Sequence, residues 1–489
     1  METYLQTPQK LKVWDGNHIA GPFYIEGSLF AVSDGMSYGW TAPVIPYLIG
    51  QKSHIVTTKY EAEWLESCLM IGSFMGLPFT IYFVDKIGRK KSLLVAALIS
   101  LLSWLMILLA NKMWHMFIAR FLFGVTANTS FVAAPIYIAE IADHNIRGFL
   151  SSVIYLSMLV GLLLVYSIGP FCSFYIPPAI GITVLAIELI TFPFVPESPY
   201  YLLFKGDKEN GQKSLHFFRP NKDITNELED ITKAVERQKN ETARIQDLIL
   251  VKSNRKAITI MAVLDAGQHF CAISVILMNL HLILDAAGSI YVDSSIAAVI
   301  FAVIMLVVAC VASLQVDRYG RKALIIGSTI LTGVFLLTLA VYFHLKLIGY
   351  NLENVSWIPI VVIMFYAASF KLGIGIVPVI LTAELFSTKM KALGMTIADL
   401  MYVFGAIISL QLYQWLSNSY GMHIPFYLFG SSSFFVTFFT IWYIPETKGK
   451  TLEEIQFILK EENIEVPPSL SRIVPKKSYN TFSNEVVIL

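Results

Sequence analysis

A short, basic turn interrupted by glycine occurs twice in this chain, at residues 85–91 and 317–322, 232 residues apart. Each copy lies between two apolar runs long enough to cross a bilayer. A repeat on this scale indicates a duplicated membrane protein. Because duplicated carriers hold their solute between the two halves, the repeat constrains both the fold and the position of the site.

The composition excludes several classes of protein. Of the 489 residues, 55% are hydrophobic and only 15% are charged, which is too apolar for a soluble domain. A net charge of +1 excludes a nucleic-acid-binding surface. The four cysteines are scattered, without metal-ligand spacing or a disulfide framework. We therefore expect no metal site, no cofactor and no nucleic-acid partner, with the lipid bilayer as the main environment.

Twelve segments have the roughly 20 apolar residues that a membrane-spanning helix needs. We therefore predict an all-α membrane protein of twelve transmembrane helices in two pseudo-symmetric six-helix bundles. The segments lie near residues 24–47, 64–84, 92–110, 114–139, 149–169, 175–195, 257–284, 291–315, 323–345, 357–384, 393–416 and 424–444.

These segments divide the chain into five parts: an N-terminal stretch at 1–23, a first bundle at 24–196, an insert at 197–255, a second bundle at 256–445 and a tail at 446–489. Apolar residues recur at helical spacing among the charges of the insert. They are Leu228, Ile231 and Val235, then Ile245, Leu248 and Ile249. The spacing predicts one or two amphipathic helices there.

Lysine and arginine are concentrated in the connections on one side of the predicted bilayer. The positive-inside rule makes that side cytosolic, so we expect a cell-membrane protein with both termini in the cytosol. On the outer side, Asn354 begins an Asn-x-Ser sequence and is a candidate glycosylation site. We expect the chain to function as a monomer.

Acids and bases recur in the same order in both halves, all on the basic side. Glu140 precedes Arg147 by seven residues, and Glu384 precedes Lys391 by seven. Together with the repeated turns and the acid that ends each half, these residues form a candidate cytosolic gate. The gate residues are Asp85, Arg89, Glu140, Arg147, Glu197, Asp317, Arg321, Glu384, Lys391 and Glu446.

The order of these motifs resembles that of the sugar porters of the major facilitator superfamily, and most of all their insect facilitated trehalose and hexose transporters. The matching motifs are Asp85-x-x-Gly88-Arg89, Arg120-x-x-x-Gly124, Pro135-x-Tyr137-x-x-Glu140, Arg147-Gly148, Pro196-Glu-Ser-Pro199, Asp317-x-x-Gly320-Arg321, Glu384-Leu-Phe and Pro445-Glu-Thr-Lys-Gly449. The resemblance implies a carrier of small solutes, not an enzyme. It also implies that the gate charges pair when the inner side is shut and separate when it opens.

The sugar-contacting positions implied by the resemblance are altered in this chain. The seventh segment keeps Gln268 but follows it with His269, and it also supplies Ser274 and Asn279. Tyr155 and Tyr402 replace residues of the fifth and eleventh segments, and the tryptophan of the tenth is absent. The candidate solute-binding residues are Gln268, His269, Ser274, Asn279, Tyr155, Tyr402 and Lys371.

Three ionisable residues fall near the membrane midplane, where charge is costly: Asp34, Asp265 and Lys371. Either Lys371 pairs with one of the two acids and holds the halves together, or the three charges replace the missing amides and bind a polar or charged solute. Asp399 is a further acid that could belong with them.

The resemblance favours facilitated diffusion by alternating access. Proton-driven sugar porters carry an acid at the position of Thr41, paired with an arginine like Arg120, and threonine does not titrate. The rival is a displaced proton site at Asp34 or Asp265. Two other hypotheses stay open: a transport-dead sugar sensor, and a carrier of an organic ion.

Overall fold

The structure is a computed structural model that describes residues 20–51, 53–142, 147–219, 223–240, 245–386, 390–450 and 452–460. These residues contain helices and no strands. The α-helices, in chain order, are α1 Ala20–Gly39, α2 Thr41–Ile49, α3 Lys59–Lys86, α4 Arg89–Leu108, α5 Met113–Phe131, α6 Ala133–Ile141, α7 Arg147–Ile168, α8 Ile176–Thr191, α9 Pro199–Phe204, α10 Lys208–Phe218, α11 Thr225–Asn240, α12 Ile245–Leu250, α13 Lys252–Phe270, α14 Ile273–Ala287, α15 Ser294–Tyr319, α16 Arg321–Ile348, α17 Ile358–Leu372, α18 Val377–Leu385, α19 Lys391–Tyr420, α20 His423–Tyr443 and α21 Leu452–Lys460.

Twelve spans account for α1–α8 and α13–α20. Ten of them are long and apolar enough to cross a membrane on the described residues alone. The other two are the first span, formed by α1 and α2, and the fifth, formed by α7. The predicted bundles are therefore present, with six spans on each side of the insert.

The insert holds more helix than its sequence pattern indicates. The two predicted amphipathic stretches lie in α11 and α12, and two further helices, α9 and α10, precede them. Both of these helices begin at side-chain caps: the Ser198 hydroxyl accepts from the Tyr201 amide at 3.2 Å, and Asp207 accepts from the Asn210 amide at 3.1 Å. With six residues, α9 is too short to show a clear apolar period.

The two halves repeat the same packing. In the first, α1 packs on α7 and α3 on α5; in the second, α13 packs on α19 and α15 on α17. The α3–α5 contact depends on glycine, because a Cβ on Gly72 would lie 2.1 Å from the Phe121 carbonyl oxygen and one on Gly124 would lie 2.0 Å from that of Leu69. Between the halves, α3 packs on α19 and α7 on α15.

Four spans are broken in mid-membrane, and they occupy matching positions in the repeat. The first, fourth, seventh and tenth spans each consist of two helices: α1–α2, α5–α6, α13–α14 and α17–α18. Pro43, Pro135 and Pro378 each lie within the first three residues of the second helix, where a missing amide is tolerated. The break in the seventh span has no proline, and Ala272 there takes a left-handed φ of 68°.

Candidate functional site

A chain of polar contacts joins the two halves beside the break in the seventh span. Ser274, which is fully buried, shares a 2.8 Å hydrogen bond with the Tyr38 hydroxyl of α1 and a 2.7 Å bond with Nδ1 of His269. The His269 ring packs edge-on against Tyr402 at 4.2 Å between centroids. Three of the predicted solute-binding residues are thus brought together, and Tyr38 is a further member.

Gln268 lies one residue before His269 and is also buried. Its amide nitrogen is 3.4 Å from a carboxylate oxygen of Asp265, one turn earlier on α13. Asp399 on α19 is close enough to interact electrostatically with Asp265. An amide beside two acids and an aromatic ring offers the donors, acceptors and apolar face that a polyhydroxylated solute needs.

Lys371 does not form an ion pair with Asp34 or Asp265 in this structure. Such a pair was one of two interpretations of the sequence. Among the described residues its ammonium donates to the Tyr155 hydroxyl of α7 and lies over the rings of Tyr155, at 4.7 Å, and Phe370, at 5.8 Å. Asp34 is half-buried on α1 facing Ser130, and Asp265 faces Gln268, so neither acid neutralises the lysine. In this conformation Lys371, two residues before Gly373 at the end of α17, contacts α7 and neither of the two acids.

Asn279 lies apart from the other predicted solute-binding residues. Its side-chain amide is 2% exposed and donates to Oε2 of Glu66 on α3, at 2.9 Å. In this conformation it bonds one half of the protein to the other. Asn279 also has non-helical φ and ψ angles, which mark a kink in α14.

Beyond Asn279, more hydrogen bonds cross between the halves, and we call this end of the molecule the closed end. Gln411 donates to the Ser67 hydroxyl at 2.5 Å, and Gln414 donates to the Glu63 carbonyl at 2.9 Å. Asn418 donates to the Glu63 carboxylate at 3.0 Å and accepts from Lys59 at 2.7 Å. All of these contacts join α3 to α19.

At the opposite end, which we call the charged end, the predicted gate residues form two clusters. In the first, Arg89 at the start of α4 pairs with Glu140 of α6 at 2.9 Å, and the Ser198 hydroxyl donates to the other oxygen of Glu140. Glu197 accepts from the amide of Lys90 at 3.0 Å, at the N-terminus of α4, where a negative charge is favoured.

The second cluster repeats the first almost residue for residue. Arg321 at the start of α16 pairs with Glu384 of α18 at 2.9 Å, and the Thr447 hydroxyl donates to Glu384 at 2.6 Å. Glu446 accepts from the amides of Arg321 and Lys322 at 3.0 and 3.1 Å. Each cluster joins helices of one half, so these described pairs do not tie one half to the other.

The glycine of each repeated turn makes room for the carboxylate that caps the next helix. Gly88 and Gly320 have φ of 106° and 88°, in the region that disfavours other residues. A Cβ on Gly88 would lie 2.3 Å from Glu197, and one on Gly320 would lie 2.8 Å from Glu446. Turn and acid are therefore one structural unit in each half.

The other predicted gate residues contribute less to these clusters. Asp85 reaches Arg89 only at 4.0 Å, and its side chain is 73% exposed. The side chains of Arg147, Asp317 and Lys391 lie outside the part of the chain that the structure describes. On the insert, Tyr201 stacks under the Arg89 guanidinium at 5.1 Å, and burial raises the pKa of its phenol.

Asn354 is exposed at the closed end, in a single 3₁₀ turn between α16 and α17. Its backbone carbonyl accepts from the Tyr291 hydroxyl at 3.4 Å. The Ser356 hydroxyl of the same sequence is buried and donates to the Glu353 carbonyl at 2.8 Å.

Four residues of these clusters were not predicted from the sequence. Ser198 and Thr447 lie at the same place in the repeated Pro-Glu-Ser and Pro-Glu-Thr motifs, and comparing the two motifs would have found them. Tyr38 and Glu66 have no counterpart in the repeat. Glu66 follows Glu61 and Glu63 in a stretch that looks like the solvated start of a helix.

Comparison with known proteins assigns the family. The model of the family described as "Sugar (and other) transporter" matches residues 25–459. The chain belongs to this family. It has the major facilitator fold: the proton:xylose symporter XylE bound to 6-bromo-6-deoxy-D-glucose superimposes with a TM-score of 0.71 at 22% identity, over 90% of this chain and 99% of the other. An inward-open conformation of XylE from E. coli gives 0.74 at 20% identity, over 89% and 99%.

Among sequence relatives of this chain, the facilitated trehalose transporter Tret1 of Drosophila virilis is 25% identical over 461 residues, which is 93% of this chain and 50% of that protein. The protein of the same name from Polypedilum vanderplanki is 28% identical over 449 residues, 89% of this chain and 88% of that protein. The chain spans about half the length of the first curated relatives that it matches.

Proposed function

We propose that this chain carries a sugar of the trehalose or hexose class across a membrane by facilitated diffusion. The two bundles, residues 24–196 and 256–445, alternate in opening to either side, while the insert at 197–255 and the tail from 446 lie at the charged end. The named activity of the trehalose transporters supports the choice of solute.

The observation that carries the proposal is the polar cluster between the halves. Gln268, Ser274, Tyr38 and Tyr402 offer amide, hydroxyl and aromatic groups within one region, beside the break in the seventh span. Sugars are bound by such convergent donors and acceptors against an apolar ring face. The breaks in the helices supply the bends that a rocking motion around this region needs.

The proposed orientation places the charged end in the cytosol and the closed end outside, in the cell membrane. Basic residues of the repeated turns and of the insert support it. Both termini are then cytosolic and Asn354 is extracellular. We propose a monomer as the working unit, since each half finds its partner within the same chain.

A uniport mechanism is supported by the surroundings of Arg120. Its guanidinium donates to the backbone carbonyls of Ser37, at 2.5 Å, and Leu65, at 3.2 Å. The nearby Thr41, at the position where proton-driven sugar porters carry an acid, does not titrate. This arginine is therefore held by the backbone and not by a proton-carrying acid of α2.

Lys371 favours a second candidate, transport of an organic anion such as a sugar acid. Lys371 as a whole is 5% exposed, and the contacts of its ammonium among the described residues are a phenol and two rings. A buried ammonium without a carboxylate beside it is a suitable partner for a negatively charged solute.

Counterflow in proteoliposomes tests these proposals in one assay, with radiolabelled trehalose, glucose and gluconate as separate probes. Saturable exchange of trehalose or glucose, reduced at least about tenfold by Gln268→Leu, is the expected result. Gln456→Leu is the matched control, because Gln456 of the tail helix α21 bonds to the Leu385 carbonyl of α18, away from the cluster.

Exchange of gluconate alone, abolished by Lys371→Met, would replace the sugar proposal with the second candidate. Exchange of none of the three probes by protein of native fold would support the sensor hypothesis instead.

A further inference from the structure

Glu66 is a buried acid that the proposed transport mechanism does not use. It lies on α3 between the central cluster and the contacts of the closed end, and it is fully buried. Oε2 accepts from Asn279 of the other half at 2.9 Å, whereas Oε1 is buried without a hydrogen-bond partner. An ionised carboxylate has acceptor capacity for about four hydrogen bonds, so most of that capacity is unused here.

The groups around Glu66 include one cation. Arg120 of α5 interacts electrostatically with Glu66 but forms no ion pair with it, and one guanidinium nitrogen is buried without a partner. The other titratable groups that interact with Glu66 are an acid and three neutral phenols: Glu63 on the same helix, Tyr38 on α1, Tyr166 on α7 and Tyr413 on α19.

Burial of a carboxylate away from water costs several kcal/mol unless a cation and hydrogen bonds replace the lost hydration. The Arg120 guanidinium, itself bound to backbone carbonyls, and the amides of Asn279 and Gln414 replace only part of it. Binding a proton removes the charge and with it most of this cost. The conformation in which Asn279 covers Glu66 therefore favours the protonated acid.

When the halves separate at the closed end, Asn279 and the helix α19 move away with the second half. Water then reaches Glu66, and hydration favours the ionised form. Because the closed conformation binds the proton more tightly than the open one, proton binding must in turn favour closure.

We propose that Glu66 is a proton-binding site whose protonation stabilises the closed end in its shut state. The proton enters and leaves at the closed end, so it sets the conformational equilibrium and does not cross with the solute. The inference rests on the proposed function only in requiring that the two halves alternate.

Spin-label distance measurements on the full-length protein test this without any solute. Labels are attached at Val56→Cys and Tyr420→Cys, which are exposed at the closed end on opposite halves. Of the native cysteines, Cys68, Cys172 and Cys310 are replaced, whereas Cys271 is fully buried. Distances are recorded between about pH 5.5 and about pH 8.5, a range that brackets carboxyl groups perturbed by burial.

We expect the ratio of short to long distances to rise as the pH falls, by at most about tenfold per pH unit, the limit for a single proton. In Glu66→Gln, which keeps the shape and an acceptor for Asn279 without a charge, the short distance should dominate at every pH. Glu63→Gln is the matched control, because Glu63 is one turn away and bonds to Asn418; it should keep the pH dependence.

A wild-type distance distribution that does not change with pH would overturn the proposal, as would an unchanged pH dependence in Glu66→Gln. Trehalose counterflow at the same pH values distinguishes this failure from failure of the proposed function. If trehalose is not exchanged while the distances still respond to pH through Glu66, the proton site stands and the choice of solute is wrong.

Discussion

The two ends of this molecule are built on different principles. At the charged end, each half forms its own cluster of arginine, glutamate and hydroxyl, and the two clusters match position for position. At the closed end, the polar contacts run between the halves and follow no repeat: α3 supplies a lysine, a hydroxyl, a backbone carbonyl and one carboxylate, and α19 supplies amides. Side chains at the charged end therefore stabilise each bundle separately, while those at the closed end stabilise one arrangement of the two bundles.

The largest effect we expect is on stability, from breaking a charged-end pair. In Glu384→Ala, the Arg321 guanidinium, whose side chain is 10% exposed, loses its carboxylate, and removing one partner of such a pair costs about 3 kcal/mol. Glu140→Ala should cost a similar amount, since Arg89 is 11% exposed. Thermal unfolding of the purified variants measures both losses.

The double replacement Arg321→Met with Glu384→Met is the control, because it leaves no unpaired charge and should restore much of the stability. A large loss for one acid and none for the other would contradict the equivalence of the two clusters. If both variants lost the same stability and flux did not change, the clusters would stabilise the fold but would not act as a gate.

A change at the closed end should instead shift the conformational equilibrium. Gln414→Leu removes the bond to the Glu63 carbonyl, which is worth about 1 kcal/mol, and so favours opening about fivefold. The spin-label pair at residues 56 and 420 measures this shift. Thermal unfolding should change little, because the stronger bond of Gln414 is the one to the other half, whereas within its own half it only accepts from Gln411 at 3.4 Å.

Gln456→Leu provides the matched comparison, since it removes a 2.6 Å bond of the same kind between the tail helix α21 and α18 of the second half. It should lower the unfolding temperature and leave the distance distribution unchanged. If the two glutamine variants behaved alike, the distinction between the two ends would not hold.

The same difference explains how far sequence reasoning reaches in this protein. The residues of the charged end could be predicted because they occur once in each half of the duplicated sequence. Arg89, Glu140 and Glu197 in the first half recur as Arg321, Glu384 and Glu446 in the second. Spans could be predicted from apolar length. The contacts between the two halves could not be predicted. Whether Asn279 contacts a solute or Glu66 depends on how the two bundles pack together, and no local sequence pattern determines this packing.

Lys371 shows the same limit at the centre of the protein. Its predicted depth in the membrane is a reason to expect a partner, but depth alone does not choose among helices at the same level. The backbone at Gly373 lies close to α16: a Cβ on Gly373 would lie 2.2 Å from the Leu324 carbonyl oxygen. Leu324 is far from Gly373 in the sequence. The partner of Lys371 thus depends on tertiary packing.

The smallest effect we expect is from Asp85, the first residue of the first repeated turn, whose carboxylate is largely exposed. At 4.0 Å from Arg89 and 73% exposed, its carboxylate is screened by water, and Asp85→Asn should change the unfolding free energy by less than about 0.5 kcal/mol. Thermal unfolding and trehalose counterflow of the same preparation measure stability and flux together. Unchanged stability with unchanged flux would confine the function of the first turn to Gly88 and Arg89. Unchanged stability with strongly reduced flux would mean that Asp85 gains a closer partner in another conformation. The charged end would then contain a contact that exists in only one arrangement of the halves, as the closed end does.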